Sequence, residues 1–231
     1  MRLPTTAHTS RRWRIHELTR DFRLEDVWTL PTPGGPDDFP RLVRQFTSGE
    51  HVEEGLSRAA RALWAIRWKL GDLLGWDRPD ADRGARVPTL RDRLPADLRN
   101  APSGPDFDAL PFTPLYLLDD EFAAEIINRT VHGILHLGWV PDGTCGYRGE
   151  MAVYVKPNGL LGAAYMAAIK PFRYAIVYPA LMRQVGREWR AAIHSASIPP
   201  GPSTAPHPST PSPARTRRPR FTQTGLMHDQ G

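Results

Sequence analysis

Read by the spacing of its apolar and polar positions, the chain falls into segments of two periods. From Thr130 to Val140 the period is two. Val131, Gly133, Leu135, Leu137 and Trp139 fall on one side, and His132, Ile134, His136 and Gly138 on the other. That predicts a strand. Tyr147–Lys156 follows an Asp142-Gly143 turn signal and predicts the next one, and Phe112–Leu118 and Glu125–Asn128 read as strands too. Asp21–Leu30 offers Phe22, Val27 and Trp28 as core residues, and Arg12–Leu18 reads as an edge strand. Short turns between successive strands predict an antiparallel sheet.

Elsewhere the period is helical. Over Glu50–Leu74, Val52, Leu56, Ala59, Leu63, Ile66, Leu70 and Leu73 share one stripe, which Trp64 and Trp68 widen. Thr47 with Glu50 fits a capping box, and Gly75 sits where a C-terminal cap belongs. Leu160–Ile169 and Phe172–Ile193 form a second long helical region. Pro171 and Pro179 predict kinks there, because proline lacks the N–H and crowds the preceding turn. Residues 77–104 are rich in Asp, Arg, Pro and Gly and read as a surface connection with a helical turn near Leu90–Leu94. The expected organisation is a flexible leader over 1–11, a single domain over 12–196, and a disordered Pro/Ser/Thr-rich basic tail over 197–231. The fold class is α+β: an antiparallel sheet with a long proline-kinked C-terminal helix, plus the amphipathic helix near 50–74.

Charge adds little. The formal net charge is +5, and the tail holds four arginines against one aspartate, so the body is nearly balanced. This argues against a specific nucleic-acid groove, and the arginines Arg215, Arg217, Arg218 and Arg220 are thin evidence for one. The lone Cys145 excludes an internal disulfide and a cysteine-cluster metal site and suits a reducing cytoplasm. The first residues carry no apolar run of the signal-peptide kind, and no apolar stretch is long enough to span a bilayer. A cytoplasmic chain is expected.

The candidate chemistry is sparse. His132 and His136 on one helix face would chelate an ion, but on a strand they stand about 13 Å apart, four steps of about 3.3 Å. No metal and no cofactor are therefore expected. If that face lines a pocket, His132, His136 and Tyr154 become its polar fixtures; otherwise the histidines lie outside. Asp119-Asp120-Glu121 reads as a solvated turn, and Cys145 as a loop thiol. With no nucleophile elbow and no zincin motif, no catalytic residue is assigned. The last helix carries Lys170, Arg173, Arg183, Arg187 and Arg190 against Glu188. A solubilising outer face is the simpler reading, and a surface for anionic lipid or phosphate the alternative. Arg173 stands apart because it follows Pro171-Phe172 and can reach a cavity mouth.

Several segments together resemble a known family. NRTVHGILHLGWV, then VKPNGLLGAAYMAAIKPFRYAIVYPALMR, with LWAIRWKLGDLLGWD and FTPLYLLDDEFAAEI before them, is similar to the bacterial DUF2867 family over roughly Phe22 to Ile193. The most specific part is Pro157, Gly159, Leu160, Gly162, Tyr165, Pro171 and Phe172. Similar segments close the C-terminal domain of certain oxidoreductase-like proteins, and that domain resembles the START-like (SRPBCC) helix-grip superfamily. The resemblance implies a sheet wrapped on a long helix with an apolar ligand between them. With Tyr165 from that motif, the candidate ligand-binding residues are His132, His136, Tyr154, Tyr165 and Arg173. No G-x-G-x-x-G follows a strand, so the chain lacks a dinucleotide-binding half. The expected function is binding of an apolar or amphipathic small molecule, non-enzymatic in the favoured reading. The alternatives are a cyclase- or hydratase-like enzyme and an interaction module acting with a separate oxidoreductase. In the last case the stripe over Glu50–Leu74 is available for a homodimer or for the partner.

Overall fold

The computed structural model of the chain describes residues 1–48, 88–128 and 130–197. The helix expected over Glu50–Leu74, the first part of the 77–104 connection and the tail beyond 197 lie outside the described residues.

The centre of the fold is one antiparallel sheet. Its strands are β1 (Arg2–Leu3), β2 (Arg23–Thr29), β3 (Thr113–Leu117), β4 (Glu121–Ile127), β5 (Val131–Pro141) and β6 (Tyr147–Pro157). Their spatial order is β1-β2-β6-β5-β4-β3. β3 to β6 follow one another as a meander, because short turns join antiparallel neighbours directly. β2 comes from far earlier in the chain and pairs with β6, closing the other side.

Helices cover both faces. On one face lie α3 (Phe39–Thr47) and the C-terminal helical segment. They pack Phe39, Leu42, Tyr178, Val185 and Trp189 against Leu135, Leu137 and Trp139 of β5. On the other lie α1 (Thr5–Thr9), α2 (Ile15–Leu18), a 3-10 turn (Leu90–Arg93) and α4 (Ala96–Asn100). Trp13, Ile15, Leu90, Leu94 and Leu98 pack there against Ile134, Ala152 and Tyr154. The alternation of β5 reads onto this directly: its leucines and Trp139 meet the helical segment, and its histidines meet the second cover. Because each face is lined by apolar groups, neither can be left wet without losing roughly 25 cal/mol per Å² of burial.

Three sequence expectations need correction. Residues 1–11 are not a frayed leader, since Arg2 and Leu3 pair with Trp28 and Val27 and the ring of His8 is fully buried. The strand expected over Arg12–Leu18 is instead the short helix α2. Its buried residues Ile15 and Leu18 lie three apart, which is helical rather than strand spacing. The acidic run is only partly a solvated turn. Glu121 opens β4 and is 2% exposed. β4 thus starts four residues before the expected Glu125.

The C-terminal segment runs as α5 (Gly159–Phe172), a single π turn (Arg173–Val177) and α6 (Tyr178–Ser197). Pro171 and Pro179 bracket the π turn. There the N–H of Tyr178 donates to the carbonyl of Arg173, five residues back. Two glycines of the motif that starts at Pro157 secure its beginning. Gly159 has φ of 71°, a left-handed value. At Gly162 a Cβ would stand 2.1 Å from the Thr130 carbonyl oxygen, which already accepts the N–H of Asn158 at 2.8 Å. Among the described residues no helix is long and apolar enough to cross a membrane.

Candidate functional site

The candidate site is the sheet face opposite the long helical segment, where charged residues interrupt apolar strands. The strand register builds it in rows. Gly138 pairs with Glu121 on one side and Glu150 on the other. His136 pairs with Ala123 and Ala152, and Ile134 with Glu125 and Tyr154. Paired residues in a sheet project to the same side, so Glu121, Glu125, Glu150, His132, His136 and Tyr154 share one surface.

The small residues in these rows make room for the cover. A Cβ on Gly138 would lie 2.7 Å from the indole of Trp13, so the glycine lets that ring sit between Glu121 and Glu150. Above Ala152 and His136 lies His8, with its ring centroid 4.9 Å from that of His136 and 5.3 Å from that of His16. Trp13 packs against both His8 and His136, and the Tyr154 hydroxyl lies 3.1 Å from His16 Nδ1.

Each buried carboxylate of this face stands beside a histidine. His8 Nδ1 lies 2.6 Å from Glu150 Oε1, and His132 Nε2 lies 2.8 Å from Glu125 Oε2. His136 Nε2 comes within 3.2 Å of Glu121 Oε1, at an angle outside hydrogen-bond geometry. Glu121 is already occupied: it accepts the N–H groups of Arg14 at 2.9 Å and Ile15 at 2.8 Å, and the Tyr116 hydroxyl. Glu125 likewise accepts the N–H of Leu90 at 2.9 Å. The carboxylates therefore do two things: they dock the cover onto the sheet and set the charge around the histidines.

Burial has electrostatic consequences. It is the largest influence on His8 and pushes it down to about 4, against the opposing pull of Glu150. His8 is thus a neutral imidazole near pH 7, with its Nδ1 proton directed at the Glu150 carboxylate. Burial alone would raise Glu121, but His136, Tyr116 and the N–H of Arg14 outweigh it and hold the carboxyl down at about 2. Glu125 is held low in the same way by His132 and the N–H of Leu90, again against burial. Burial raises Tyr154 and, together with Glu121, Tyr116, so both phenols stay protonated.

Several ring nitrogens in this cluster are buried and have no hydrogen-bond partner among the described residues: Nε2 of His8 and His16, both nitrogens of His136, and Nε1 of Trp13. Buried polar atoms in folded proteins are nearly always satisfied by protein or ordered water, so their concentration around one point makes this face the candidate site. Among the described residues no three His, Cys, Asp or Glu side chains converge as a metal-ligand set.

The five residues singled out in the sequence divide between places. His132, His136 and Tyr154 come together on this face. Arg173 lies with the C-terminal segment, where it donates to Asp26 at 2.5 Å and to the Tyr178 hydroxyl at 2.5 Å. Tyr178 also donates to Asp26 at 2.7 Å, and Tyr174 completes the cluster. A β-bulge at Glu25 turns Asp26 there: Leu24 pairs with Tyr154 and Asp26 with the next residue, Val153. Arg173 is thereby a buried ion-pair partner and does not reach the histidines. Tyr165 is half-buried on α5. Sequence reading missed His8, Trp13, His16, Tyr116, Glu121, Glu125 and Glu150. The available signal was a glutamate inside an apolar strand, as in FAAEII and GEMAVY, which demands a buried partner.

The family described as "Protein of unknown function (DUF2867)" matches residues 18–180. No curated protein and no solved structure matches the chain.

Proposed function

Since the chain belongs to the DUF2867 family, to which no reaction is attached, the reading has to come from the site, and we propose that the protein performs proton-transfer chemistry on a small molecule held at the histidine face. In this proposal it is a START-like, helix-grip relative whose ligand meets the side of the sheet away from the long helix. The class is that of the cyclases and hydratases, in which a base removes a proton from carbon or water and an acid returns one.

A single observation carries the reading: His8 and His136, their rings in contact, present buried nitrogens without hydrogen-bond partners among the described residues, beside the carboxyl groups of Glu150 and Glu121. An imidazole oriented by a carboxylate is a competent general base, because the carboxylate fixes the tautomer and stabilises the imidazolium that forms. Tyr154, protonated and joined to His16, supplies a donor on the same face. Apolar walls from Ile134, Leu90 and Leu94 exclude water and strengthen each of these interactions.

The test uses a generic probe of buried bases. 5-Nitrobenzisoxazole opens when a base removes its ring proton, and it absorbs in the visible afterwards. The wild-type protein should accelerate that opening over buffer, and His8→Gln and His136→Gln should each lower the rate while circular dichroism stays unchanged. Native mass spectrometry of protein taken from cells should show a retained small molecule in the wild type and less of it in the variants. No acceleration together with no retained molecule would end this reading.

A further inference from the structure

A concavity lies against α6, on the side of the sheet opposite the histidines. It is a groove of about 590 Å³ between that helix and the end of β2, lined by Met1, Thr29, Pro31, Arg183, Arg187 and Arg190 among others. None of its lining residues is acidic. Gly186 lets the helix approach the Pro31 loop, because a Cβ there would meet Pro31 at 3.0 Å. The groove is thus formed where a close helix–loop contact opens outward between arginines.

The three arginines are at helical spacing, positions i, i+4 and i+7, so their guanidiniums project along one stripe. Like charges at that spacing repel unless acids are interspersed. Two acids on or beside this segment have partners of their own. Glu188 accepts from Gln45 at 3.1 Å and from Gln184 at 2.8 Å, and Asp26 is held by Arg173. Arg183 and Arg187 are exposed and make no ion pair among the described residues. A solubilising face does not need its cations gathered along one hollow.

We propose that this groove binds the phosphate group of an anionic ligand, with Arg183 and Arg187 as its principal contacts and Arg190 at its end. The planar guanidinium donates two parallel N–H bonds to phosphate oxygens, a geometry lysine cannot offer. A groove of this size admits a phosphate or diphosphate with a small organic group attached, or a phospholipid headgroup entering from a membrane surface. The site is independent of the histidine face and stands if the reading given there fails.

The experiment is carried out on the full chain. Pyrophosphate is titrated at constant ionic strength against chloride, with binding read by calorimetry and by arginine Nε–Hε resonances. Vesicles of phosphatidylcholine, with and without phosphatidylglycerol, are cosedimented in parallel. Arg183→Gln/Arg187→Gln should weaken whichever binding is seen by about tenfold or more, since two charge-assisted contacts are lost. Arg183→Lys/Arg187→Lys should recover only part of it, and Arg217→Gln/Arg218→Gln in the tail should change nothing. Pyrophosphate binding without vesicle binding identifies a soluble phosphate. Vesicle binding that needs phosphatidylglycerol and the two groove arginines identifies a lipid headgroup. Absence of both, or binding that tracks the tail arginines or survives the groove substitutions, overturns the proposal. All the substituted arginines of the groove are on the surface, so unchanged melting temperatures separate lost binding from lost folding.

Discussion

The carboxylate of Glu121 accepts the backbone N–H of Ile15 at 2.8 Å across 106 positions of sequence. A residue that opens a central strand thereby fixes the first turn of α2, whose side chains supply no cap of their own. The same carboxylate holds the N–H of Arg14 and the hydroxyl of Tyr116. One buried charge is kept by three donors, which is the condition under which burying it is tolerable.

Replacing Glu121 with alanine should therefore destabilise the fold by about 3 kcal/mol, roughly 1 kcal/mol for each donor left without a partner. The loss should be local before it is global. Amide exchange at Ile15 and Arg14 should speed up under conditions where the β5 amides stay protected. Unchanged exchange at Ile15 would mean the carboxylate is not what holds α2.

Acid should weaken the protein in two stages. His8 binds a proton at about 4 in the folded chain and near 6.5 when unfolded, so the unfolded state takes up protons first as pH falls. The stability that neutral His8 allows is present above about 6.5 and is lost between there and 4, to the extent of about 3 kcal/mol. Glu121 works from the opposite charge: its folded value of about 2 lies below the ordinary 4.5, so its contribution is present above 4.5 and is lost between 4.5 and 2. Urea unfolding across pH should show both slopes. His8→Gln should flatten the upper window alone, and a profile unchanged by that substitution would contradict the assignment.

Gly162→Ala should be worse than Gly159→Ala, although only the second glycine has a positive φ. At Gly159 nothing lies within 4 Å of a Cβ, so the substitution meets only the left-handed backbone, about 1 kcal/mol. At Gly162 the methyl would meet the Thr130 carbonyl oxygen at 2.1 Å, and backbone cannot rotate away as a side chain can. About 2–3 kcal/mol and a displaced start of α5 are expected. Equal melting temperatures for the two variants would refute this ordering.

Asp26→Ala should cost about 3–5 kcal/mol, because it leaves the Arg173 guanidinium buried without its carboxylate. Arg173→Met alone should cost a similar amount by stranding Asp26. The double variant should lose less than the sum of the two, and a double-mutant cycle on chemical denaturation measures the difference. Additive losses would show that the pair does not act as a unit.

The strands of the meander were legible because each carries its own record. In β5 the alternation of His132, Ile134 and His136 with Leu135, Leu137 and Trp139 needs no distant information: the period of two follows from the pleat. The family motif was equally legible, and its glycines have structural duties at the β6–α5 junction. The first twenty residues were not. His8, Trp13 and Ile15 sit in a stretch of mixed polarity whose partners, Glu150, Gly138 and Glu121, lie more than a hundred positions away, so no local period announces them. Asp26 was hidden by a bulge, since one extra residue at Glu25 reverses the face on which it falls.

By itself, then, the sequence determined that a sheet and a long C-terminal helical segment exist, that His132 and His136 share a face of their strand, and that the chain has the marks of its family. Backbone geometry and the local spacing of side chains are sufficient for all three. Only the tertiary structure decided what lies over that face. The strand histidines are turned away from the long helix, yet they do not meet solvent. The N-terminal segment and residues 90–98 close over them, because buried carboxylates on the sheet offer hydrogen-bond acceptors that only these distant segments fill. That pairing depends on the chain folding back across its whole length, and no window of sequence contains both partners.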